Sequence, residues 1–140
     1  MLDTTVEEMG KVFVTTELGG AGTASAKSID IARKGIVNLL RHAGILAGSP
    51  VPAPSRWLDM PSSNCFTFAE DDGLVVFVRD LGDAVTAGET IARVYPIGKT
   101  GLAPVDYRAS ISGLLAARHV PGLIKAGDCL SVIATVTENT

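Results

Sequence analysis

An internal repeat in the second half of the chain constrains its fold more than any other feature. Residues 73–94, GLVVFVRDLGDAVTAGETIARV, match residues 113–133, GLLAARHVPGLIKAGDCLSVI, after a one-residue deletion. Each copy predicts a strand, a turn, a short strand, a tight Gly-Glu or Gly-Asp turn and another strand, because glycine readily forms the backbone of such turns. The short β-branched runs of residues 56–140 show no helical period. We therefore expect an all-β domain in which two copies interlock as two small sheets.

The first 47 residues have a different pattern. KVFVTT, residues 11–16, predicts a strand apolar enough to be buried on both faces, as in a parallel sheet. A helix is predicted from Ser25 or Ser28 to Ala43, with Gly44 at the position after its C-cap. Its apolar face is formed by Ile29, Ala32, Ile36, Leu39, Leu40 and Ala43. One strand and one helix cannot cover two apolar faces, so another chain or the β-domain is expected to cover them.

Residues 48–55, GSPVPAPS, predict a linker between these two parts, because three prolines favour an extended spacer. The acidic start of the chain, MLDTTVEEMGK, does not resemble a signal peptide. The net charge of −3 comes from mixed charges and gives no case for binding nucleic acid or an anionic membrane. The two cysteines, Cys65 and Cys129, form no CxxC motif, so we expect reduced core thiols in a cytoplasmic protein.

Several patterns that carry chemistry in other proteins are incomplete here. Gly98-Lys99-Thr100 lacks the earlier glycine of a phosphate loop, because residue 93 is arginine. The glycines at 19, 20 and 22 lack GxGxxG spacing, which leaves only a weak anion-binding turn. His42 and His119 belong to no metal-ligand spacing, so a surface or hydrogen-bonded polar role is expected for each.

Glu17 is the one candidate catalytic residue. It ends the predicted strand at the edge where α/β sheets place their sites, in the stretch TTELGG. Position alone favours a polar residue that terminates the strand over a functional one.

A longer stretch of the sequence favours a functional role for Glu17. The sequence VTTELGGAGTASAKSIDIARKGIVNLLRHAGIL, the proline segment and the β-domain together resemble the C-terminal part of the succinylglutamate desuccinylase/aspartoacylase family, in its branch of N-acetyl-diaminobutyrate deacetylases. The resemblance covers about residues 11–136, and its most specific parts are TELGG and GxxNxLRHxGIL. It implies an α+β chain, in which the last βα unit of a carboxypeptidase-like domain (residues 1–47) precedes a barrel-sandwich β-domain similar to biotinyl/lipoyl modules.

The resemblance also implies an activity. Family members are zinc-dependent hydrolases of N-acylated amino acids, and Glu17 matches the glutamate that acts as general base and acid. The family binds zinc through an HxxE pair and a later histidine, whereas this sequence contains no HxxE and offers no plausible third ligand. The chain is therefore expected to be part of a longer enzyme, to bind no catalytic zinc by itself and to be inactive alone. A truncated chain, a split gene product and a subunit awaiting a partner are all left open, and so are a homo-oligomer and a complementing upstream chain as its partner.

Two other functions compete with this one. A biotinyl/lipoyl carrier would place its modified lysine between the two repeats, where Lys99 lies, but its context IGKTG is unlike the usual DKA or MKM. A non-catalytic accessory or assembly module is the other alternative, and it is compatible with the deacylase hypothesis.

Overall fold

The computed structural model describes residues 2–20, 22–98, 100–120 and 122–137. The chain divides into two compact units, residues 1–53 and residues 54–140. Helices occupy the first unit and strands the second, which gives the α+β class expected from the sequence. The division lies inside the predicted linker, and the domain bounds 1–47 and 56–140 stay a prediction.

The first unit contains two helices, α1 (Leu2–Glu8) and α2 (Ala26–His42). The predicted helix is α2. Ser25 caps its N-terminus, and Ser25 and Ser28 form a reciprocal capping box that satisfies the first free amides. At the other end Gly44 has φ of 71°, in the left-handed region that glycine adopts readily. Its amide bonds the Arg41 carbonyl while the Ile45 amide bonds the Leu40 carbonyl. This is a Schellman ending, so both predicted ends are confirmed.

The predicted strand at residues 11–16 is not formed. Residues 11–18 belong to neither a helix nor a strand, and no described strand pairs with them. The side chains of Val12 and Val14 are 95% and 69% exposed. A strand is defined by hydrogen bonds to a neighbouring strand, and the first unit supplies none. Residues 11–16 therefore have the β-branched sequence of a strand but pair with no strand among the described residues.

The second unit is all-β, as expected for residues 56–140. Its strands are β1 (Trp57–Asp59), β2 (Phe66–Phe68), β3 (Gly73–Phe77), β4 (Ala84–Val85), β5 (Thr90–Tyr95), β6 (Val105–Arg108), β7 (Gly113–Arg118), β8 (Leu123–Ile124) and β9 (Cys129–Thr137). One sheet has the order β1-β9-β7-β4, with β2 also paired to β9, and the other has the order β6-β5-β3-β8. All the pairs are antiparallel. The run β2–β5 and the run β6–β9 each contribute two strands to each sheet.

Corresponding hydrogen bonds occur in these two runs of strands. Each tight-turn glycine donates its amide to an alanine carbonyl of the other run: Gly88 to Ala109 at 2.8 Å, and Gly127 to Ala69 at 2.7 Å. The acidic residue after each glycine accepts from an amide three residues earlier: Glu89 from Thr86 at 2.9 Å, and Asp128 from Lys125 at 3.0 Å. Turns with the same chemistry therefore join the two runs to each other reciprocally.

Gly73 and Gly113, which begin β3 and β7, lie at corresponding close contacts. A Cβ on Gly73 would stand 2.5 Å from the Tyr95 carbonyl oxygen, and one on Gly113 would overlap the Ala134 carbonyl oxygen. A side chain at either position would push the neighbouring strand away. These two glycines are therefore required by close strand approach rather than by a turn.

The hydrophobic core lies between the two sheets of the second unit. The largest buried apolar side chains are Ile91, Leu115, Ile124, Leu130, Ile133 and Val94. The hydroxyl of Tyr107, itself only 7% exposed, accepts hydrogen bonds from the amides of Glu70 at 2.8 Å and Asp71 at 3.2 Å. It thereby fastens the corner after β2 to β6.

Candidate functional site

Glu17 lies at the end of the extended segment that precedes α2. Its carboxylate is exposed and makes no hydrogen bond or ion pair with another residue in the described part of the chain. Gly19, with φ of 101°, begins the turn that follows, and Thr23 closes that turn by donating its amide and its hydroxyl to the Gly20 carbonyl. Ser25 then caps α2. The local sequence thus holds the backbone after Glu17 while leaving its carboxylate unpaired.

A mostly apolar groove of about 640 Å³ lies beside this segment. Thr15 and Thr16 line it just before Glu17, and His42 lines it at the end of α2. Apolar side chains of α2 and two prolines form much of the remaining wall: Ile31, Ala32, Ile36, Leu39, Pro50 and Pro52. Ile36 is 59% exposed and Leu39 is 50% exposed, so the groove presents the apolar face predicted for the helix. The first unit does not cover that face itself.

A second groove of about 650 Å³ also runs along α2. Val51 and Ala53 line it, whereas Pro50 and Pro52 line the first groove. Residues 50–53 thus send alternate side chains into the two grooves, as an extended segment does. Arg33, Lys34 and Arg41 make the second groove basic. The proline segment therefore lies along the helix.

The side-chain amide of Asn38 joins this segment to α2. Its Nδ2 donates to the Val51 carbonyl at 2.8 Å, and its Oδ1 accepts from the Val51 amide at 3.0 Å. Sequence reasoning did not give Asn38 a role, although it lies in the GxxNxLRHxGIL motif. The signal available in the sequence was weak: Val51 and Ala53 each carry a backbone amide between two prolines, which have none.

The described residues do not fit a zinc site. Within residues 2–20, 22–98, 100–120 and 122–137, no group of three or more His, Cys, Asp or Glu side chains is placed to hold a metal ion. His119 faces the Leu123 carbonyl, with 3.0 Å between its Nε2 and that oxygen, which agrees with the hydrogen-bonded polar role expected for it. His42 is exposed on the first groove.

The two cysteines and Lys99 are the remaining residues that the sequence singled out. Cys65 is fully buried, as expected of a core thiol, but Cys129 is exposed, so that part of the prediction is wrong. Cys129 is the first residue of β9 and is exposed there, whereas the next two residues of the strand, Leu130 and Ser131, are buried. Partial burial raises the pKa of the Cys129 thiol above its ordinary value. Lys99, the candidate for carrier modification, lies outside the described residues.

No helix in the part of the chain that the structure describes has both the length and the apolar character needed to cross a membrane. The cytoplasmic location stays a prediction.

Comparison with known proteins assigns the family. Residues 1–43 match the family model of the succinylglutamate desuccinylase/aspartoacylase catalytic domain. The chain is 47% identical over 141 residues to the N-alpha-acetyl-L-2,4-diaminobutyric acid deacetylase of Halomonas elongata, a match that covers 99% of this chain. The chain belongs to the succinylglutamate desuccinylase/aspartoacylase family. The resemblance seen in TELGG and in the helix motif is confirmed.

Solved structures of family members match both its sequence and its fold. The product-bound ectoine utilization protein EutE (DoeB) from Ruegeria pomeroyi is 53% identical, covers 96% of this chain and superposes with a TM-score of 0.90. A succinylglutamate desuccinylase from Silicibacter sp. TM1040 is 54% identical, covers 98% of this chain and has a TM-score of 0.89.

The chain spans only part of each of these relatives. It corresponds to 41% of the Halomonas elongata deacetylase, 41% of the Ruegeria pomeroyi protein and 42% of the Silicibacter protein. Within this chain, the family's catalytic-domain model matches residues 1–43, which contain Glu17, all of α2 and most of the residues that line the first groove. The candidate site therefore lies mostly in the part of the chain that this model matches.

Proposed function

We propose that this chain is the C-terminal part of a deacylase of N-acylated amino acids and that Glu17 is its general base. The observation that carries this proposal is the match of residues 1–43 to the catalytic-domain model, because that region contains Glu17 at the end of TTELGG. The 47% identity to a deacetylase of N-alpha-acetyl-L-2,4-diaminobutyric acid supports an N-acetylated diamino acid as substrate.

The chemistry assigned to Glu17 is a proton transfer in both directions. Its carboxylate accepts a proton from the attacking water as the water oxygen bonds to the acyl carbonyl carbon. The same carboxyl group then gives that proton to the amide nitrogen as the carbon–nitrogen bond breaks. The products are a carboxylic acid and a free amine, so atoms and charge balance. A carboxylate without a hydrogen-bond partner, as Glu17 is among the described residues, is free to serve in this way.

The first unit needs further structure to become an active site. Val12 is 95% exposed and Ile29 is 58% exposed, and the segment at 11–16 has no partner strand among the described residues. We propose that the remaining part of the α/β domain, on the same or on a complementing chain, pairs with residues 11–16 and covers α2. Because the described residues do not fit zinc, the ligands for the zinc expected in this family would have to come from that part.

We assign the β unit to support rather than to chemistry. The two runs of four strands and their corresponding turns support a duplicated barrel-sandwich architecture. In the described residues, this unit has no cluster suited to a metal. A role in assembly around the catalytic part agrees with its tightly packed core.

A chimaeric enzyme tests the proposal. This chain would replace the matching segment of the Halomonas elongata deacetylase, to which it is 47% identical over 99% of its length. Release of acetate from N-alpha-acetyl-L-2,4-diaminobutyric acid would be measured at several substrate concentrations. We expect activity in the chimaera and, with Glu17→Gln, a fall in kcat of roughly 10²–10⁴-fold, the usual contribution of a general base. The KM and the metal content should stay near those of the parent chimaera.

The matched control is Glu8→Gln, which makes the same change at an exposed glutamate of α1. It should leave kcat unchanged. Near-parental turnover in the Glu17→Gln chimaera would remove Glu17 from catalysis. A folded chimaera without any deacetylation would contradict the deacylase assignment itself.

A further inference from the structure

The proline-rich segment contains one amide that differs from its neighbours. Residues 50, 52 and 54 are prolines and have no N–H, so Val51 and Ala53 carry the only amides of residues 50–54. The Val51 amide is bonded to Asn38, whereas the amides of Ser49 and Ala53 bond to no group in the described part of the chain. Both polar groups of the Val51 backbone are occupied by a single side chain.

The two hydrogen bonds resemble one rung of an antiparallel ladder. The carboxamide of Asn38 offers one donor and one acceptor side by side, as a strand residue does. Val51 uses both, with 2.8 Å from Nδ2 to its carbonyl and 3.0 Å from its amide to Oδ1. Neither leucine nor alanine at position 38 could make either bond, and aspartate would lose the donor.

Contacts nearer the helix end bring the chain back along α2. The amides of Ile45 and Leu46 both bond the Leu40 carbonyl, at 2.9 Å and 3.1 Å. The Arg41 side chain then lies close to Gly48, with its Nε 3.3 Å from the place where a Cβ would stand. Gly48 has φ of 105°, a conformation that residues with a side chain rarely adopt. The chain therefore turns at Gly44, passes Arg41 at Gly48 and reaches Asn38 at Val51.

We propose that Asn38 is a clamp that turns residues 47–53 into a strap bound to α2, instead of a free hinge. The alternating placement of Pro50 and Pro52 in one groove and Val51 and Ala53 in the other supports this arrangement. The strap forms one wall of the groove lined by Thr15 and Thr16. The clamp is independent of the deacylase assignment, because it rests on contacts within the first unit alone.

The clamp limits how much chain is free between the two units. With Val51 bound, the unattached chain before β1 is residues 52–56, which reach roughly 17 Å when extended. With the clamp open, the last fixed point is Leu46, and residues 47–56 reach roughly 33 Å. The Asn38 side chain thus decides how many residues are free between α2 and β1.

Amide hydrogen exchange in the unmodified chain, followed residue by residue with NMR, gives the first test. We expect the Val51 amide to exchange roughly tenfold to thirtyfold more slowly than its intrinsic rate, the protection that one or two net hydrogen bonds provide. Ser49 and Ala53 should exchange near their intrinsic rates and act as internal references. An unprotected Val51 amide would overturn the clamp without any substitution being made.

Variants give the second test. Asn38→Leu should abolish the protection of Val51 and lower the heteronuclear NOE of Ser49, Val51 and Ala53, while circular dichroism shows α2 intact. Asn64→Leu is the matched control, because the exposed Asn64 side chain makes no hydrogen bond within the described residues. Val51 should stay protected in that control. If Val51 kept its protection in a folded Asn38→Leu chain, the proposal would be wrong.

Discussion

The two units of this chain differ in how they use apolar side chains. Every buried residue among the described ones lies in the β unit, from Cys65 to Ala134. Neither helix of the first unit buries a residue, although α2 is amphipathic. Ile91 of β5 is fully buried, whereas Ile36 of α2 is 59% exposed. Similar hydrophobic residues thus form a core in one unit and an open face in the other.

The two units therefore obtain their stability from different interactions. The β unit closes two sheets over one core, so its apolar area is removed from water inside the chain. The first unit is held by hydrogen bonds, which are the helix caps, the Schellman ending and the bonds of the Asn38 side chain to Val51. These bonds fix the helix and the segment beside it but do not cover the apolar face of α2. The unit that contains the residues matched by the catalytic-domain model is therefore also the unit that leaves its apolar side chains exposed.

The largest expected effect comes from the same truncation made in each unit. Ile91→Ala should lower the free energy of unfolding of the β unit by about 2–5 kcal/mol, because it removes buried methyl groups and leaves a cavity. Ile36→Ala should change it by less than about 0.5 kcal/mol, as exposed substitutions do. Urea denaturation followed by Trp57, the single tryptophan and a residue of β1, measures both. Equal costs would mean that Ile36 is covered within this chain.

An intermediate effect is expected from a hydroxyl that acts inside the β unit. Tyr107→Phe should cost about 1–2 kcal/mol, because the amides of Glu70 and Asp71 lose their acceptor in a partly buried corner. Thermal unfolding is the measurement. Tyr95→Phe is the control, since Tyr95 is 38% exposed and its hydroxyl bonds to no described residue. If Tyr107→Phe lowered the stability of the β unit by less than Tyr95→Phe does, the corner would be held by packing alone.

The smallest effect concerns a carboxylate whose contribution depends on pH. The pKa of Glu89 lies below its ordinary value, first because its carboxylate accepts the Thr86 amide and then because Arg79 bonds it. A lowered pKa in the folded state means that the stabilisation is present above the unfolded pKa of about 4.3. It is lost as the pH falls through the lower folded value. Glu89→Gln should therefore lower the urea midpoint at neutral pH and not near pH 2.

The comparison for this prediction is Asp30→Asn in α2. The pKa of Asp30 is also lowered, chiefly by its hydrogen bond with Lys34, but that pair lies within one exposed helix. Its removal should change helix content and leave the β unit's midpoint unaltered at either pH. If Glu89→Gln lowered the midpoint equally at both pH values, the loss would come from packing instead of charge.

Sequence patterns predicted the local features of both units well. The ends of α2 followed from Ser25 and Gly44, since a cap is a bond within a few residues. The all-β character of the second unit followed from its glycine-separated runs. The family followed from TELGG and the helix motif, and the comparisons confirm it. The role of Glu17 stays a proposal, because its partners in the reaction are not among the described residues.

Other features needed the tertiary structure. Helix α1 was not predicted, and the strand at 11–16 was predicted but is not formed. Strands β2 and β6 also correspond to each other, because each pairs with the last strand of the other run: β2 with β9, and β6 with β5. Both strands lie outside the repeat that is visible in the sequence. Their sequences, FTF and VDYR, share no pattern, and only strand pairing relates them.

A short stretch of sequence is enough to specify the helix caps, the tight turns and the alternation of helical and β-branched segments. A hydrogen bond or a buried position that needs a partner distant in the sequence forms only in the folded chain. Cys65 is buried and Cys129 is exposed, although both have apolar neighbours in the sequence. Asn38 bonds Val51 because the chain folds back along α2. The physical reason is that a strand, a core position or a clamp exists only when its second half is present.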